Sequence, residues 1–432
     1  ECASAYMDSV AIEIGNAGEK RKMKEKLVKA NYNIRQFIMM LAFVDLATFV
    51  TNYRGWVRSY NTTMLALSYE YGFTSRSLLG TIYHILDAVI PVDMMQYQNA
   101  LVFANVVTVL FIVFLLYFSY HVLKKSDMEN GMVTKAEQYI LLTFHIAMVA
   151  TFTYAYNFLR VDFCMVWMML LGFMALMNEK TEWLSLPFAA LGIMFHQGFV
   201  LMYFNVILVI QFYYMMTRKN KKNTILFFLT FLIGSGMFLW FELFSRTNGN
   251  DIFETVLRDA TNVSYQGIYH TTLLYHEVLG IDVSGAETDF VYMNHVQLVL
   301  YLLILLPAIV VLARAFVRII KKADDLFAKL KYLALAVGSL TILPDMLLKV
   351  DYGRWILAVV TYYLLIILAM LILRDPLVTE ETKVVVDRVK KHPAWLVYFT
   401  LVVLTVPYMD VDIDMLVKGL QRFMQSKGIL FY

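Results

Sequence analysis

Long apolar runs recur along this chain from residue 36 to residue 409. An α-helix needs about 20 apolar residues to cross the hydrocarbon core of a bilayer, and many of these runs reach that length. The chain is 60% hydrophobic and 16% charged, whereas a soluble domain carries about 25% charged residues. The runs are continuous and not alternating, which argues against a membrane β-barrel. The sequence therefore predicts an all-α polytopic membrane protein.

Individual spans follow from the apolar runs and from the charged residues between them. We expect about 11 transmembrane helices, each close to the length that a bilayer requires. They are placed near residues 36–53, 98–123, 137–157, 161–178, 183–197, 198–216, 224–245, 293–316, 329–346, 353–373 and 393–409. The apolar stretch 183–216 is too long for one crossing, so a tight turn at 195–198 is expected to divide it.

Basic residues set the orientation, because cytoplasmic loops carry an excess of Lys and Arg. With the N-terminus in the cytoplasm, most of the 37 Lys and Arg residues fall on the inner side. The inner residues are mostly Lys, whereas those on the outer side are mostly Arg. Arginine can hold a phosphate through two parallel hydrogen bonds, so the outer side is the candidate surface for anion recognition.

The chain divides into three parts. Residues 1–34 form a basic cytoplasmic tail, residues 35–409 the transmembrane domain, and residues 410–432 an outer amphipathic segment. Two outer loops within the transmembrane domain are long, at residues 54–97 and 246–292. The second loop is rich in acidic residues, histidines and tyrosines, a composition and length typical of a functional lid.

Two arginines are candidate anion ligands on the outer side. Arg160 and Asp162 lie in the short turn between the third and fourth predicted spans, which places both at the membrane surface. Arg160 either pairs with Asp162 or with a lipid phosphate, or faces inward and binds a phosphate through two parallel hydrogen bonds. Asp162 is a further candidate substrate ligand. Arg76 precedes a predicted amphipathic or re-entrant helix at 77–90, whose first N–H groups also attract anions.

Polar residues inside apolar segments form a second group of candidates. His196 lies in the turn that divides 183–216. One interpretation is a neutral histidine bonded to a backbone carbonyl, and the other is a general base or a hydrogen-bond donor to substrate. Gln197 beside it is a candidate substrate ligand. Asp45 and His145 lie within predicted spans, where a polar group bonded inside the bundle is expected and a relay is the alternative.

Four charged residues crowd one outer turn before the tenth predicted span: Asp345, Lys349, Asp351 and Arg354. Asp351 and Arg354 are three positions apart and share a face on a helix. One interpretation is a structural ion-pair network. The other is an active site in which Asp351 activates an acceptor hydroxyl and the remaining three bind substrate.

No metal site and no cofactor are expected. The two cysteines, Cys2 and Cys164, are too few for a disulfide framework or a zinc site. The chain has no phosphate-binding loop, no dinucleotide fingerprint and no His-Glu-x-x-His pattern. The net charge of +3 does not indicate a nucleic-acid partner, and the expected partner is the lipid bilayer.

An arginine that ends an outer turn, followed two helices later by a terminal histidine, makes a distinctive order of motifs. Here the turn 157–160 ends in Arg160, and the helix that closes with Gly192-Ile193-Met194-Phe195 ends in His196. This order resembles that of the EpsG and Wzy-type bacterial polysaccharide polymerases, most strongly over residues 137–216. The resemblance implies an enzyme of the bacterial inner membrane that joins glycan repeats carried on undecaprenyl diphosphate, beside a flippase and a chain-length regulator.

The leading hypothesis is therefore a membrane glycosyltransferase of the polymerase type, acting in exopolysaccharide or O-antigen synthesis. Arg76, Arg160 and Arg354 would hold the lipid diphosphate and stabilise it as it departs. Asp351 or His196 would take the proton from the acceptor hydroxyl.

Two alternatives remain open on the sequence. A multi-span glycosyltransferase of the GT-C type would use a polyprenyl-phosphate sugar and would depend on Glu70, Asp87 or Asp93 in the first outer loop. A lipid or solute transporter would need polar residues at mid-membrane and a repeated architecture.

Overall fold

The structure is a computed structural model that describes residues 33–126, 131–154, 157–244, 250–279, 288–348, 352–405 and 426. These residues form helices and connecting turns, with no β-strand among them. The all-α class predicted from the sequence is therefore confirmed for the described part of the chain.

The helices are numbered in chain order. They are α1 Asn33–Asn52, α2 Ser59–Thr63, α3 Ser77–Val89, α4 Tyr97–Lys125, α5 Gly131–Thr153, α6 Asp162–Leu176, α7 Ser185–Phe195, α8 Phe199–Met202, α9 Phe204–Arg218, α10 Lys221–Phe244, α11 Asn250–Val263, α12 Thr271–Leu274, α13 Thr288–Lys322, α14 Leu326–Val337, α15 Leu343–Leu348, α16 Tyr352–Ile372, α17 Pro376–Lys391 and α18 Ala394–Thr405. The connections include a π-turn at Tyr275–Leu279 and short 3₁₀ turns at Met64–Ala66, Tyr69–Tyr71, Glu182–Leu184, Tyr265–Gly267 and Gly338–Ile342.

Five of the described helices are long and apolar enough to cross a membrane, as judged by length and composition. They are α1, α4, α10, Tyr301–Lys322 within α13 and Gly353–Ile372 within α16. Other predicted spans coincide with helices that are shorter or less apolar. Helix α9 has 15 residues and is therefore about 22 Å long, less than the ~30 Å hydrocarbon core. These are the helices of a membrane protein, with five clear spans where the sequence predicts about eleven.

Two local predictions agree with the observed helix ends. The turn expected at 195–198 is present, because α7 ends at Phe195 and α8 begins at Phe199. The amphipathic helix expected at 77–90 is α3. A second break, at Tyr203 between α8 and α9, is not predicted by the uninterrupted apolar sequence.

Glycines allow the central helices to approach closely. A Cβ on Gly172 of α6 would lie 2.5 Å from Cδ1 of Ile207 on α9, and one on Gly234 of α10 would lie 2.4 Å from Cζ of Phe204. Small residues at such crossings let helix backbones pack tightly where hydrophobic driving force is weak. Helix α6 accordingly packs against both α7 and α9 in the middle of the bundle.

Ion pairs fasten one end of this bundle, which we call the Glu182 end. Glu182 is 1% exposed and pairs with Arg218 at the end of α9 and with Lys222 of α10, the latter at 2.8 Å. Asp375 is equally buried and accepts hydrogen bonds from the hydroxyls of Tyr213 at 2.8 Å and Tyr332 at 2.9 Å. The opposite end, which we call the Asp162 end, contains the start of α6 and the end of α7.

A chain of three polar side chains crosses the interior between α1, α5 and α4. His145 Nδ1 lies 2.8 Å from Asp45 Oδ2, and its Nε2 lies 2.8 Å from Ser119 Oγ. All three side chains are fully buried. Asp45 and His145, interpreted from the sequence as polar groups bonded within the bundle, are bonded to each other and tie α1 to the α4–α5 pair.

Candidate functional site

Asp162 at the start of α6 is the centre of the first cluster. Its Oδ1 accepts a hydrogen bond from Nε of Arg354 at 2.9 Å and lies 2.7 Å from a terminal nitrogen of the same guanidinium. Its Oδ2 lies 3.2 Å from Nε of Arg160. The side chain of Asp162 is 6% exposed and those of the two arginines 12% and 13%. Two guanidinium groups thus meet at one nearly buried carboxylate.

The turn between α5 and α6 sets the position of Arg160. The backbone N–H of Arg160 bonds to the carbonyl of Asn157 at 2.9 Å, and a guanidinium nitrogen donates to Oδ1 of the same asparagine at 2.9 Å. Leu159 adopts a left-handed φ of 63°, a conformation that costs a non-glycine residue about 1 kcal/mol or more. The carbonyl of Phe158 accepts a 2.8 Å bond from the amide of Asn61 on α2. The first long loop therefore fixes the turn from the other side.

Arg76 and His196 form the second cluster. Nε of Arg76 donates to Nε2 of His196 at 3.1 Å, and the backbone N–H of Gly198 donates to Nδ1 at 2.8 Å. A neutral imidazole has one N–H and one lone pair, so it can accept from only one of these donors at a time. The tautomer decides which donor is accepted: with its proton on Nδ1 the ring accepts from Arg76, and with its proton on Nε2 it accepts from Gly198.

The backbone of Arg76 is strained. It adopts a left-handed φ of 73° immediately before α3, a conformation that favours glycine. Four residues later, Gly80 lies so close to the preceding loop that a Cβ would fall 1.7 Å from the carbonyl oxygen of Leu67. The loop therefore folds tightly over the start of α3 and presents Arg76 to the end of α7. Strained residues of this kind concentrate at functional sites.

Hydrogen bonds seat this loop on the turn that contains His196. Oγ of Ser75 accepts from the backbone N–H of Gln197 at 3.2 Å, and the hydroxyl of Tyr69 donates to the carbonyl of Met194 at 3.1 Å. Oε1 of Gln197 is buried and has no hydrogen-bond partner among the described residues. A buried amide oxygen without a partner is costly, and a substrate hydroxyl would satisfy it.

Helix α8 connects the two clusters. Gly198 at its start bonds to His196, and Tyr203 directly after its end is buried within the electrostatic influence of Asp162, Arg354 and Arg160. Helix α8 has four residues, so its length is about 6 Å. Both clusters therefore lie at the Asp162 end of the bundle.

The second long loop packs on the first. The hydroxyl groups of Thr62 and Ser264 lie 3.1 Å apart, and Oγ1 of Thr63 accepts from the backbone N–H of His270 at 2.9 Å. The hydroxyl of Tyr71 donates to Asp259 at 3.4 Å, and burial together with the Asp259 charge raises the pKa of Tyr71 to about 12. These contacts make the described part of residues 246–292 a folded cover over residues 59–71.

Burial also sets the protonation of His270 in this cover. Burial first, and the nearby charge of Arg58 second, lower the pKa of His270 from its ordinary value. The neutral form is therefore favoured near pH 7, and the ring packs edge-on against Tyr60 with centroids 5.1 Å apart.

The structure brings together five of the nine residues that the sequence marks as site candidates and adds Asn157, Asn61 and Tyr203 to them. Arg354 contacts Asp162, which lies 192 positions away, in addition to any partner on its own turn. Asp345 belongs to α15, but its side chain is outside the description, and Lys349 and Asp351 lie outside the described residues. Gln197 adjoins the second cluster. The pattern Asn157-x-x-Arg160 was visible in the sequence, whereas Asn61 and Tyr203 carried no local signal.

The charge of the site favours an anion over a metal. Within the described ranges, no group of three or more His, Cys, Asp or Glu residues lies close enough to hold a metal ion. No protein-family model, no curated protein and no solved structure matches the chain. The chemistry of the two clusters is therefore inferred from their own residues.

Proposed function

We propose that this chain is a glycosyltransferase of the polymerase type in the bacterial inner membrane, which joins glycan repeats carried on undecaprenyl diphosphate. In this proposal the N-terminus lies in the cytoplasm, the chain crosses the membrane about eleven times, and the Asp162 end faces outward. The resemblance to the EpsG and Wzy-type polymerases over residues 137–216 supports it, because Arg160 and His196 carry that resemblance and both belong to the clusters.

The observation that carries the proposal is the convergence of three arginines at the Asp162 end. Arg160 and Arg354 share the single carboxylate of Asp162. Arg76 donates a hydrogen bond to His196, and the short helix α8 connects the two clusters. Charges buried at a membrane helix end are costly and are usually retained for a ligand. A diphosphate is a suitable ligand for these arginines, because guanidinium groups bind phosphate oxygens through paired, charge-assisted hydrogen bonds.

The proposed reaction breaks the bond between the anomeric carbon of the donor sugar and the diphosphate oxygen. The diphosphate departs with the electron pair, and the arginines stabilise its charge in a site that excludes water. The acceptor hydroxyl forms the new glycosidic bond and passes its proton to a ring nitrogen of His196. When Arg76 turns from His196 to the donor phosphate, it leaves that ring nitrogen available as the base.

Single substitutions of Arg160, Arg354 and His196 test this proposal. With Arg160→Gln, Arg354→Gln or His196→Asn, we expect lipid-linked single repeats to accumulate and surface glycan to fall at least tenfold, since one such charge-assisted contact contributes more than about 1.4 kcal/mol. The measurements are lipid-linked and surface glycan in cells at matched protein level. Arg54→Gln is the control, because Arg54 is an exposed arginine of the first long loop.

Unchanged glycan in all three variants would remove the proposal. Asp87→Asn and Asp93→Asn test the GT-C alternative in the same assay. The structure gives both carboxylates a local task, because Asp87 accepts from the backbone N–H of Met94 at 2.7 Å and Asp93 from that of Met95 at 3.0 Å. An asparagine oxygen can keep both bonds, so loss of glycan in these variants alone would favour the GT-C enzyme.

The substitution Arg76→Gly separates the function of Arg76 from its contribution to folding. Glycine removes the guanidinium and also relieves the left-handed backbone, which favours glycine by about 1 kcal/mol. We expect glycan synthesis to be lost although the melting temperature of the purified protein does not fall. Lys219→Gly is the matched control, because Lys219 has a left-handed φ of 48° at the Glu182 end. Normal synthesis in Arg76→Gly would show that Arg76 has no part in the reaction.

A proton-coupled transporter is the second candidate function, and one observation favours it. Asp45, His145 and Ser119 form a buried hydrogen-bonded chain in the interior of the bundle, where pumps and transporters place their proton relays. A relay requires titratable groups in these positions, so a variant that keeps the fold without them distinguishes transport from a structural role.

A further inference from the structure

A cavity of about 290 Å³ lies at the Glu182 end, far along α16 from the arginine that binds Asp162. It is bounded by the start of α5, the last turn of α16 and the first turns of α17. Val133 and Leu371 form an apolar side. Arg374, Thr379 and Lys383 bring polar groups to the other side.

The two positive charges that line this cavity make no ion pair with any of the described residues. Neither Arg374 nor Lys383 makes an ion pair or a side-chain hydrogen bond with any of them, although both line the cavity. The one acidic lining residue, Glu380, is engaged by Lys322 at 2.9 Å. Oγ1 of Thr379 is buried and likewise lacks a hydrogen-bond partner within the described ranges. The cavity thus offers two cations and a hydroxyl to an acceptor that carries negative charge.

The backbone at Arg374 gives an independent indication. The N–H of Asp375 bonds to the carbonyl of Met370 at 2.9 Å and that of Arg374 to the carbonyl of Leu371 at 3.0 Å, the pattern of a Schellman C-cap. The position that Arg374 occupies in this motif usually holds glycine, and Arg374 adopts a left-handed φ of 56° there. A long cationic side chain therefore occupies a backbone position that favours glycine, which has no side chain.

The position of the cavity along the bundle matches the depth of phosphate groups in a bilayer. Helix α16 is one of the five clear spans and ends at Ile372, two residues before Arg374. The polar headgroup region begins where the hydrocarbon core ends.

We propose that this cavity is a phosphate-binding site, in which Arg374 and Lys383 hold the phosphate oxygens and the Thr379 hydroxyl donates a third hydrogen bond. The phosphate belongs either to an anionic phospholipid of the surrounding leaflet or to a soluble phosphate compound. This site is separate from the Asp162 end and does not depend on the glycosyltransferase proposal.

The test uses the full chain in nanodiscs and compares the wild type with Arg374→Gly/Lys383→Gln. The control is Lys219→Gly/Lys391→Gln, which replaces another cationic residue at a left-handed position by glycine and a lysine outside the cavity by glutamine. One arm measures retained phosphatidylglycerol by native mass spectrometry in phosphatidylcholine nanodiscs with and without phosphatidylglycerol. The other arm measures the binding of inorganic phosphate in phosphatidylcholine alone.

We expect at least about tenfold weaker binding in the cavity variant, the effect of removing charge-assisted hydrogen bonds to an anion, and wild-type binding in the control. Retention of phosphatidylglycerol that the cavity variant loses identifies a lipid headgroup as the ligand. Binding of inorganic phosphate that the cavity variant loses identifies a soluble ligand. Equal binding by wild type and cavity variant in both arms, or no binding by wild type in either, overturns the proposal. Because Arg374→Gly relieves the backbone, loss of binding in a variant with an unchanged melting temperature is not a folding defect.

Discussion

The substitution Asp162→Asn is expected to lower the free energy of unfolding by about 3–5 kcal/mol, the typical cost of removing one partner from a buried ion pair. Arg160 and Arg354 both bond to this carboxylate, and all three side chains are at most 13% exposed. An asparagine keeps the shape but has only one acceptor oxygen and brings an N–H₂ group toward a guanidinium. Two nearly buried positive charges would then lack their shared counter-charge.

Pyrophosphate separates a purely structural cluster from one that binds anions. Unfolding of the purified protein is followed in detergent with and without pyrophosphate. We expect pyrophosphate to restore part of the lost stability of Asp162→Asn, because a ligand that binds the folded state stabilises it in proportion to its occupancy. Glu182→Gln at the opposite end is the control, since Glu182 also serves two cations, Arg218 and Lys222. Equal rescue of both variants would contradict a specific anion site at Asp162.

The buried pair of Asp45 and His145 carries the second large effect. Asp45→Leu or His145→Leu alone is expected to destabilise the protein by about 3–5 kcal/mol, because each leaves a fully buried polar partner behind. The double substitution is expected to recover most of that loss, since apolar side chains of similar volume suit this interior. Ser119→Ala, which removes one neutral hydrogen bond, should cost about 1 kcal/mol.

The comparison of the four proteins forms a double-mutant cycle, measured by equilibrium unfolding in detergent. If the losses in the two single variants simply add in the double variant, the two residues do not act as a pair. The double variant also tests whether glycan synthesis needs a proton relay. Normal synthesis by Asp45→Leu/His145→Leu shows that it needs none through these residues, and loss of synthesis in a stable double variant shows that it does.

Much of the fold could be predicted because it depends on local sequence. Apolar runs fix where helices lie, so the all-helical class, the turn at 195–198 and the helix α3 follow from the residues themselves. The number of crossings is harder, because a run such as 198–216 looks continuous yet contains the break at Tyr203. That break lies at Tyr203, which is buried in the bundle, and no turn-forming residue marks it in the sequence.

The candidate site was predictable in its residue types but not in its pairings. Charged or polar groups at helix ends in a membrane are costly, which marks them as candidates for function. The sequence shows four such groups: Arg76, Arg160, His196 and Arg354. Their partners depend on how each helix is rotated about its axis, which apolar sequences of this kind leave undetermined. The contact of Arg354 with Asp162 and the contact of Arg76 with His196, 120 positions apart, are therefore visible only in the folded chain.

The sharing of one imidazole by two donors has a consequence for the timing of catalysis. In the proposed reaction, Nε2 of His196 is not available as the base in the empty enzyme, since Arg76 occupies this nitrogen. Arrival of the diphosphate draws Arg76 away and creates the base in the same event. The donor must then enter before His196 can activate the acceptor, and a water molecule that reaches the empty site is not deprotonated by His196.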